Sequence, residues 1–263
     1  MESAEPPSRT PAIRMRDVAV GSLQDPDATL VRGVNWEVYP GEFWVIAGLQ
    51  GEGKSDLLMM TGGLMAPLQG QYWLFDDPMP LFDEEHLPQR LRLGLAFESG
   101  QLFNHLTVSE NLGLPLRYHR NLSKAAAAGA VQEMLQAMDL EPWADSTPGA
   151  LGRNWQKRVG LARALMLRPE ILLVDNPLTG LDLRHVYWWL GFLDQLWAGQ
   201  TRLRQEPTTV VVTSADLRPW LEKDRKFAVI KNQQMTVLGN RTQLQSADRE
   251  LTGELLALEP RSG

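Results

Sequence analysis

The segment Gly48-Leu49-Gln50-Gly51-Glu52-Gly53-Lys54-Ser55 constrains this chain more than any other. It follows the apolar run Phe43-Trp44-Val45-Ile46-Ala47 and precedes Leu57-Leu58-Met59-Met60, so the pattern G-x-x-x-x-G-K-S stands between a strand and a helix. Glycines at 48, 51 and 53 let successive backbone N–H groups turn inward around phosphate oxygens. Lys54 then reaches the outer phosphates, Ser55 offers a hydroxyl to Mg²⁺, and the helix presents its positive end. The sequence therefore predicts a phosphate-binding turn inside an α/β core.

Composition narrows the setting. With 263 residues, 43% of them hydrophobic, the chain can bury a full core. A net charge of -6 supplies no basic field for nucleic acid or anionic lipid, so no nucleic-acid partner is expected. There is no cysteine, which rules out disulfides, thiolate metal sites and a cysteine nucleophile. The four histidines have no metal-ligand spacing. The N-terminus lacks the apolar core of a secretory signal, no stretch is apolar for the ~18 residues of a membrane span, and a cytoplasmic location is expected.

Residues 1–12, polar and proline-bearing, read as a disordered arm. Runs at 13–20, 30–39 and 42–47 read as strands and suggest an antiparallel layer beside the core. Ser123 is placed to cap a helix to Met138, with Val131, Met134, Leu135 and Met138 on one face. Apolar runs at 171–174, 208–213 and 227–230 alternate with helices, as in a parallel sheet covered on both sides. In the helix expected after Asp182, Trp189, Leu193, Leu196 and Trp197 share one face. The tail from 241 to 263 gives no clear signal.

The strand run Ile171–Val174 ends in Asp175, which suits a carboxylate holding Mg²⁺. It sits in Leu-Leu-Val-Asp175-Asn176-Pro177-Leu-Thr-Gly180-Leu181-Asp182, preceded by Gln156-Lys-Arg158-Val-Gly-Leu-Ala162-Arg163-Ala164-Leu. Together with the loop at 48–55, these motifs closely resemble the ATP-binding subunits of ABC transporters, from about Ile13 to Gly239. The resemblance implies a P-loop NTPase (RecA-like) core with an antiparallel β subdomain and an inserted α-helical subdomain at about 104–167, all within a domain at 13–240. It implies ATP and Mg²⁺ as ligands, a second nucleotide-binding subunit and a membrane permease as partners, and residence at the cytoplasmic face of the inner membrane. Within that family, Phe97-Glu98-Ser99-Gly100-Gln101-Leu102-Phe103 and the segment Val108 to His119 look like the Mla/Mce branch, which moves phospholipids or other lipids in the bacterial envelope.

Several family positions are altered. The catalytic glutamate falls at Asn176, whose amide cannot take a proton from water. The switch histidine falls at Ser214, whose hydroxyl can still hydrogen-bond, and the glutamine that ligates Mg²⁺ falls at Glu98. The signature serine and glycines fall at Gly152, Arg153 and Asn154 within Leu151–Trp155, where bulk excludes a phosphate or Arg153 clamps it. The threonine after Ser55 is Asp56, a carboxylate near the phosphate closest to the sugar. The aromatic that stacks on adenine is missing from Val18–Ser22. Two expectations follow: a transporter ATP-binding subunit with slow or absent hydrolysis, or a non-catalytic pseudo-ATPase scaffold in the same kind of complex.

Overall fold

The computed structural model describes residues 10–23, 25, 28–79 and 85–256. Ten strands form one mixed sheet: β1 (Ile13–Gly21), β2 (Thr29–Val38), β3 (Phe43–Ala47), β4 (Gln69–Leu74), β5 (Asp77–Pro78), β6 (Leu93–Ala96), β7 (Ile171–Val174), β8 (Thr209–Ser214), β9 (Lys226–Lys231) and β10 (Gln234–Gly239). Their order is β5-β4-β1-β2-β10-β9-β3-β8-β7-β6. From β9 to β6 the pairs are parallel, and every residue of β3, β7 and β8 is buried, as strands covered on both faces require. From β5 to β2 the pairs are antiparallel. Of the layer read from the sequence only β1 and β2 are antiparallel neighbours; β3 lies instead in the parallel sheet between β9 and β8, and the two parts join edge to edge through β2 and β10.

Eight helices accompany the sheet among the described residues: α1 (Lys54–Thr61), α2 (Leu87–Arg90), α3 (Val108–His119), α4 (Lys124–Ala137), α5 (Arg153–Leu165), α6 (Leu183–Trp197), α7 (Arg241–Ser246) and α8 (Arg249–Leu256). The segment between β6 and β7 is helical through α3, α4 and α5, with two 3₁₀ turns before α5. The Ser123 hydroxyl accepts from Ala126 N–H at 3.2 Å and starts α4, whose Val131, Met134 and Leu135 face the core together with Met138. In α6, Trp189, Leu193 and Leu196 are buried, whereas Trp197 is half-buried because its indole N–H reaches Gly41 O at 2.7 Å.

Residues 1–9 of the expected arm lie outside the described residues. Ala12 is fully buried and its N–H bonds Val38 O at 2.7 Å, so the packed fold begins before Ile13. The tail expected after 240 is helical through α7 and α8, and Leu244 and Leu255 are buried in the larger core cluster. Residues 257–263 lie outside the described residues.

The start of α3 carries a reciprocal cap. Glu110 N–H donates to the Thr107 hydroxyl at 3.2 Å, and Thr107 N–H donates to the Glu110 carboxylate at 3.1 Å. That amide, then Lys124, holds the Glu110 carboxyl below its ordinary range. A carboxyl depressed in the folded state stabilises it fully above the unfolded pKa, and the contribution is lost as pH falls through the folded value. The protection of the Thr107 and Glu110 amides, taken relative to their intrinsic exchange rates, is therefore expected to fall on acidification, and Glu110→Gln, which keeps the acceptor without the charge, should flatten that response.

Candidate nucleotide site

Strand β3 delivers the glycine-rich turn to the C-terminal edge of the parallel sheet, where ligands of such sheets gather. Ala47 pairs with Ser214, and Gly48 N–H donates to Ser214 O at 3.1 Å. A β-carbon on Gly48 would lie 2.7 Å from Ile230 O, and one on Gly53 would lie 2.9 Å from both Leu30 Cβ and Val31 Cγ2. Gly51 and Gly53 have φ of 88° and 86°, in the left-handed region. The glycines thus let the loop lie flat against β2 and β9.

Lys54 is 5% exposed, and its ammonium donates to Gly48 O and Leu49 O, both at 2.7 Å. Burial lowers its pKa, opposed by Asp175, Glu52 and Glu98. Ser55 Oγ donates to Asp175 Oδ1 at 2.9 Å, joining the first turn of α1 to the end of β7. Asp175 N–H bonds Ala96 O at 2.8 Å, which ties the same point to β6. Two hard oxygen donors beside a fixed ammonium suit Mg²⁺ and phosphate. Gly48, Gly51, Gly53, Lys54, Ser55 and Asp175 therefore fit a magnesium-bound nucleotide tail.

The altered positions behave unequally. Asn176 has φ of 41°, its N–H donates to Thr213 Oγ1 at 2.9 Å, and its side-chain amide lies 3.4 Å from Asp175 Oδ1. Ser214 is expected to offer its hydroxyl to a ligand, but the structure turns it back on its own strand end. Its Oγ donates to Asp216 O at 2.7 Å and accepts from Asp216 N–H at 3.2 Å. Glu98 is half-buried in the loop after β6. Trp155 does not crowd the signature segment: it packs inward against Trp143, His185 and Arg158 at 6.1, 5.5 and 4.5 Å. Arg153 stays exposed at the start of α5, and Asn154 reaches Asp182 at 3.4 Å. Asp56 is half-buried, and burial raises its carboxyl pKa.

Sequence reasoning missed three contributors. Thr213 is fully buried and donates to Asp175 Oδ1 at 2.7 Å, so it fixes both Asp175 and the backbone of Asn176. Lys157, 8% exposed, donates to Asn176 O at 3.2 Å and Thr179 O at 2.7 Å, pinning the loop that follows Asp175. Burial lowers its pKa, and Glu98 and Asp175 oppose the shift. Gly160 meets Gly100 backbone to backbone, since a β-carbon on Gly160 would lie 2.6 Å from Gly100 Cα. Next to that contact, Arg163 donates to Gly100 O and Gln101 O at 3.1 and 2.9 Å. No local signal marks Lys157 in the sequence, because its burial depends on the loop after β7 that it pins.

Comparison with known proteins agrees with this geometry. Residues 31–179, more than half of the chain, match the family model described as ABC transporter. The chain is 35% identical over 181 residues to a spermidine/putrescine import ATP-binding protein of Pseudomonas aeruginosa, covering 67% of this chain and 48% of that one. It is 32% identical over 216 residues to a probable sulfate/thiosulfate import ATP-binding protein of Chlorella vulgaris, covering 80% and 85%. The chain spans about half the length of the first of these relatives. Among solved structures, the ATP-binding cassette MJ0796 bound to ADP and Pi superposes with a TM-score of 0.74 at 26% identity, covering 86% of this chain and 98% of the other. A mixed α/β core, the phosphate loop with its Ser55–Asp175 link, and these matches lead to one conclusion: the chain belongs to the ABC transporter family, as an ATP-binding domain.

Proposed function

We propose that this chain is the ATP-binding subunit of a lipid-moving ABC transporter, pairing with a second nucleotide-binding subunit beneath a membrane permease, with ATP hydrolysis weakened or absent. One observation carries the nucleotide part: Lys54, Ser55 and Asp175 converge at the mouth of a loop that only glycine can form. Among the described residues no helix is long and apolar enough to cross a membrane. On this reading the translocation path lies in the permease partner, with this chain peripheral to it on the cytoplasmic face. Support for the lipid branch comes from the segments 97–103 and 108–119. The second of these forms α3, where Arg117 and Tyr118 are exposed and suited to docking against a permease. The relatives are named for polyamine and sulfate import, which makes cargo the question to test.

Ser55 and Asp175 would hold Mg²⁺, which would supply charge neutralisation for the phosphates. Lys54 exchanges its two loop carbonyls for phosphate oxygens. Asn176 stands where a base would be needed, and an amide holds water without deprotonating it. Asn176, Glu98, a self-satisfied Ser214 and an exposed Arg153 also favour the second reading, a pseudo-ATPase scaffold.

The two readings separate in the assembled complex. ATP binding by the wild type, lost in Lys54→Ala, together with turnover above the Lys54→Ala baseline and movement of labelled phospholipid between vesicles, supports the transport reading. Nucleotide binding with turnover at that baseline supports the scaffold. Equal binding by wild type and Lys54→Ala rejects the nucleotide site itself.

A further inference from the structure

Between the start of α5, the start of α6 and the residues just past α4 lies a cavity of about 460 Å³, lined by Asp139, Trp155, Arg158, Arg184, His185 and Trp188. It shares no lining residue with the phosphate loop. Arg158 is 4% exposed, and its guanidinium lies 3.6 Å from the centre of the Trp188 ring and 4.5 Å from that of Trp155. Its N–H groups outnumber their acceptors. Nη1 donates to Met138 O and Asp139 Oδ2, both at 3.3 Å, and Nη2 donates to His185 Nδ1 at 3.4 Å. These bonds are longer than a charged donor usually makes, and the buried Nε–H has no partner among the described residues.

A second guanidinium, that of Arg184, stands exposed at the same cavity with no side-chain hydrogen bond among the described residues. Asp139 is the only carboxylate lining the cavity, and the Trp188 indole N–H already donates to it at 3.1 Å. Burial lowers the pKa of His185, which leaves its imidazole neutral near pH 7. Two cations therefore share one anion. Burial brings the Arg158 pKa down to about 10; Asp139 opposes the shift and Arg184 adds to it.

We propose that this cavity binds a small aromatic carboxylate, whose charge lies between Arg158 and Arg184 and whose ring lies along the indoles of Trp155 and Trp188. A guanidinium fork matches a carboxylate in paired parallel bonds, so the ligand answers the donors that the fold leaves under-used. Indole walls receive a flat apolar body by offset or edge-to-face contact, and a cavity of this volume is large enough for it.

Calorimetry on the full chain with naphthalene-2-carboxylate, the uncharged naphthalene-2-carboxamide and acetate reads charge and ring separately, with melting curves as the folding control. The wild type is expected to bind the naphthoate at least about tenfold more tightly than either analogue. Arg184→Gln, at an exposed position, should weaken it by about tenfold or more. Arg158→Lys, which keeps the charge without the fork, should weaken it as well, and Lys54→Ala should bind it as the wild type does. Absence of saturation at millimolar naphthoate overturns the proposal. So does equal binding of the carboxamide or of acetate, or naphthoate affinity unchanged in Arg184→Gln, whether or not Arg158→Lys folds. Loss of naphthoate binding in Lys54→Ala overturns it too, because the probe would then sit at the phosphate loop.

Discussion

Replacing Asn176 with glutamate is expected to raise ATP turnover in the assembled complex by about 10²- to 10⁴-fold, the range by which a positioned general base accelerates proton transfer. The backbone at 176 is already fixed, because Thr213 Oγ1 accepts its N–H and Lys157 holds its carbonyl. A new carboxylate would therefore project from a preset anchor beside Asp175. The substitution has a structural cost. Asn176 has φ of 41°, a region asparagine tolerates better than most residues, so glutamate there should lower stability by about 1 kcal/mol. Single-turnover hydrolysis beside the Lys54→Ala baseline reads the gain. A flat result would place the block instead at Ser214, Glu98 or the segment 151–155.

Asp194→Ala should be the most damaging single change to stability, costing about 3–5 kcal/mol. Asp194, on α6, receives Arg225 Nη2 at 2.5 Å and Lys223 Nζ at 3.2 Å. Arg225 is 2% exposed, and its guanidinium lies over Phe43 at 4.6 Å and Trp220 at 5.2 Å. Removing the carboxylate leaves that cation buried with no ion partner. For a domain of this size the melting temperature should fall by roughly 10 °C. The double variant Asp194→Leu with Arg225→Met should melt above Asp194→Ala, because it removes both charges and keeps the volume. A double variant that melts lower would mean that the guanidinium's stacking, not its charge, holds α6 against the sheet.

The elements that could be read from the sequence are those whose pattern is local. The glycine spacing and Lys54 define the loop without reference to the rest of the chain, and the apolar run ending in Asp175 marks a core strand by itself. Ser123 and the spacing of Val131, Met134, Leu135 and Met138 likewise define α4. What escaped depends on partners distant in sequence. Strand β10 has no buried residue to mark it, and it exists because Asn232 and Gln233, with φ of 52° and 64°, turn it back onto β9. Helices α7 and α8 are short, and each anchors through one buried leucine. In the site, Lys157 reads as an ordinary solvated helix lysine until the loop after β7 is folded over it. Ser214 reads as a donor because sequence cannot show that Asp216 already engages it.

The bare contact of Gly100 with Gly160 has a mechanical consequence. Interlocked side chains make two surfaces move in steps, since each displacement forces rotamers to hop. Here two main chains touch with nothing between them, so α5 has no steric teeth against the loop bearing Glu98. What resists sliding at this point is the pair of bonds from the Arg163 guanidinium, a flexible tether that follows small displacements. A methyl group on Gly160 would lie 2.6 Å from Gly100 Cα, and one on Gly100 2.5 Å from Gln156 O, so a side chain on either glycine would wedge α5 away from the loop bearing Glu98.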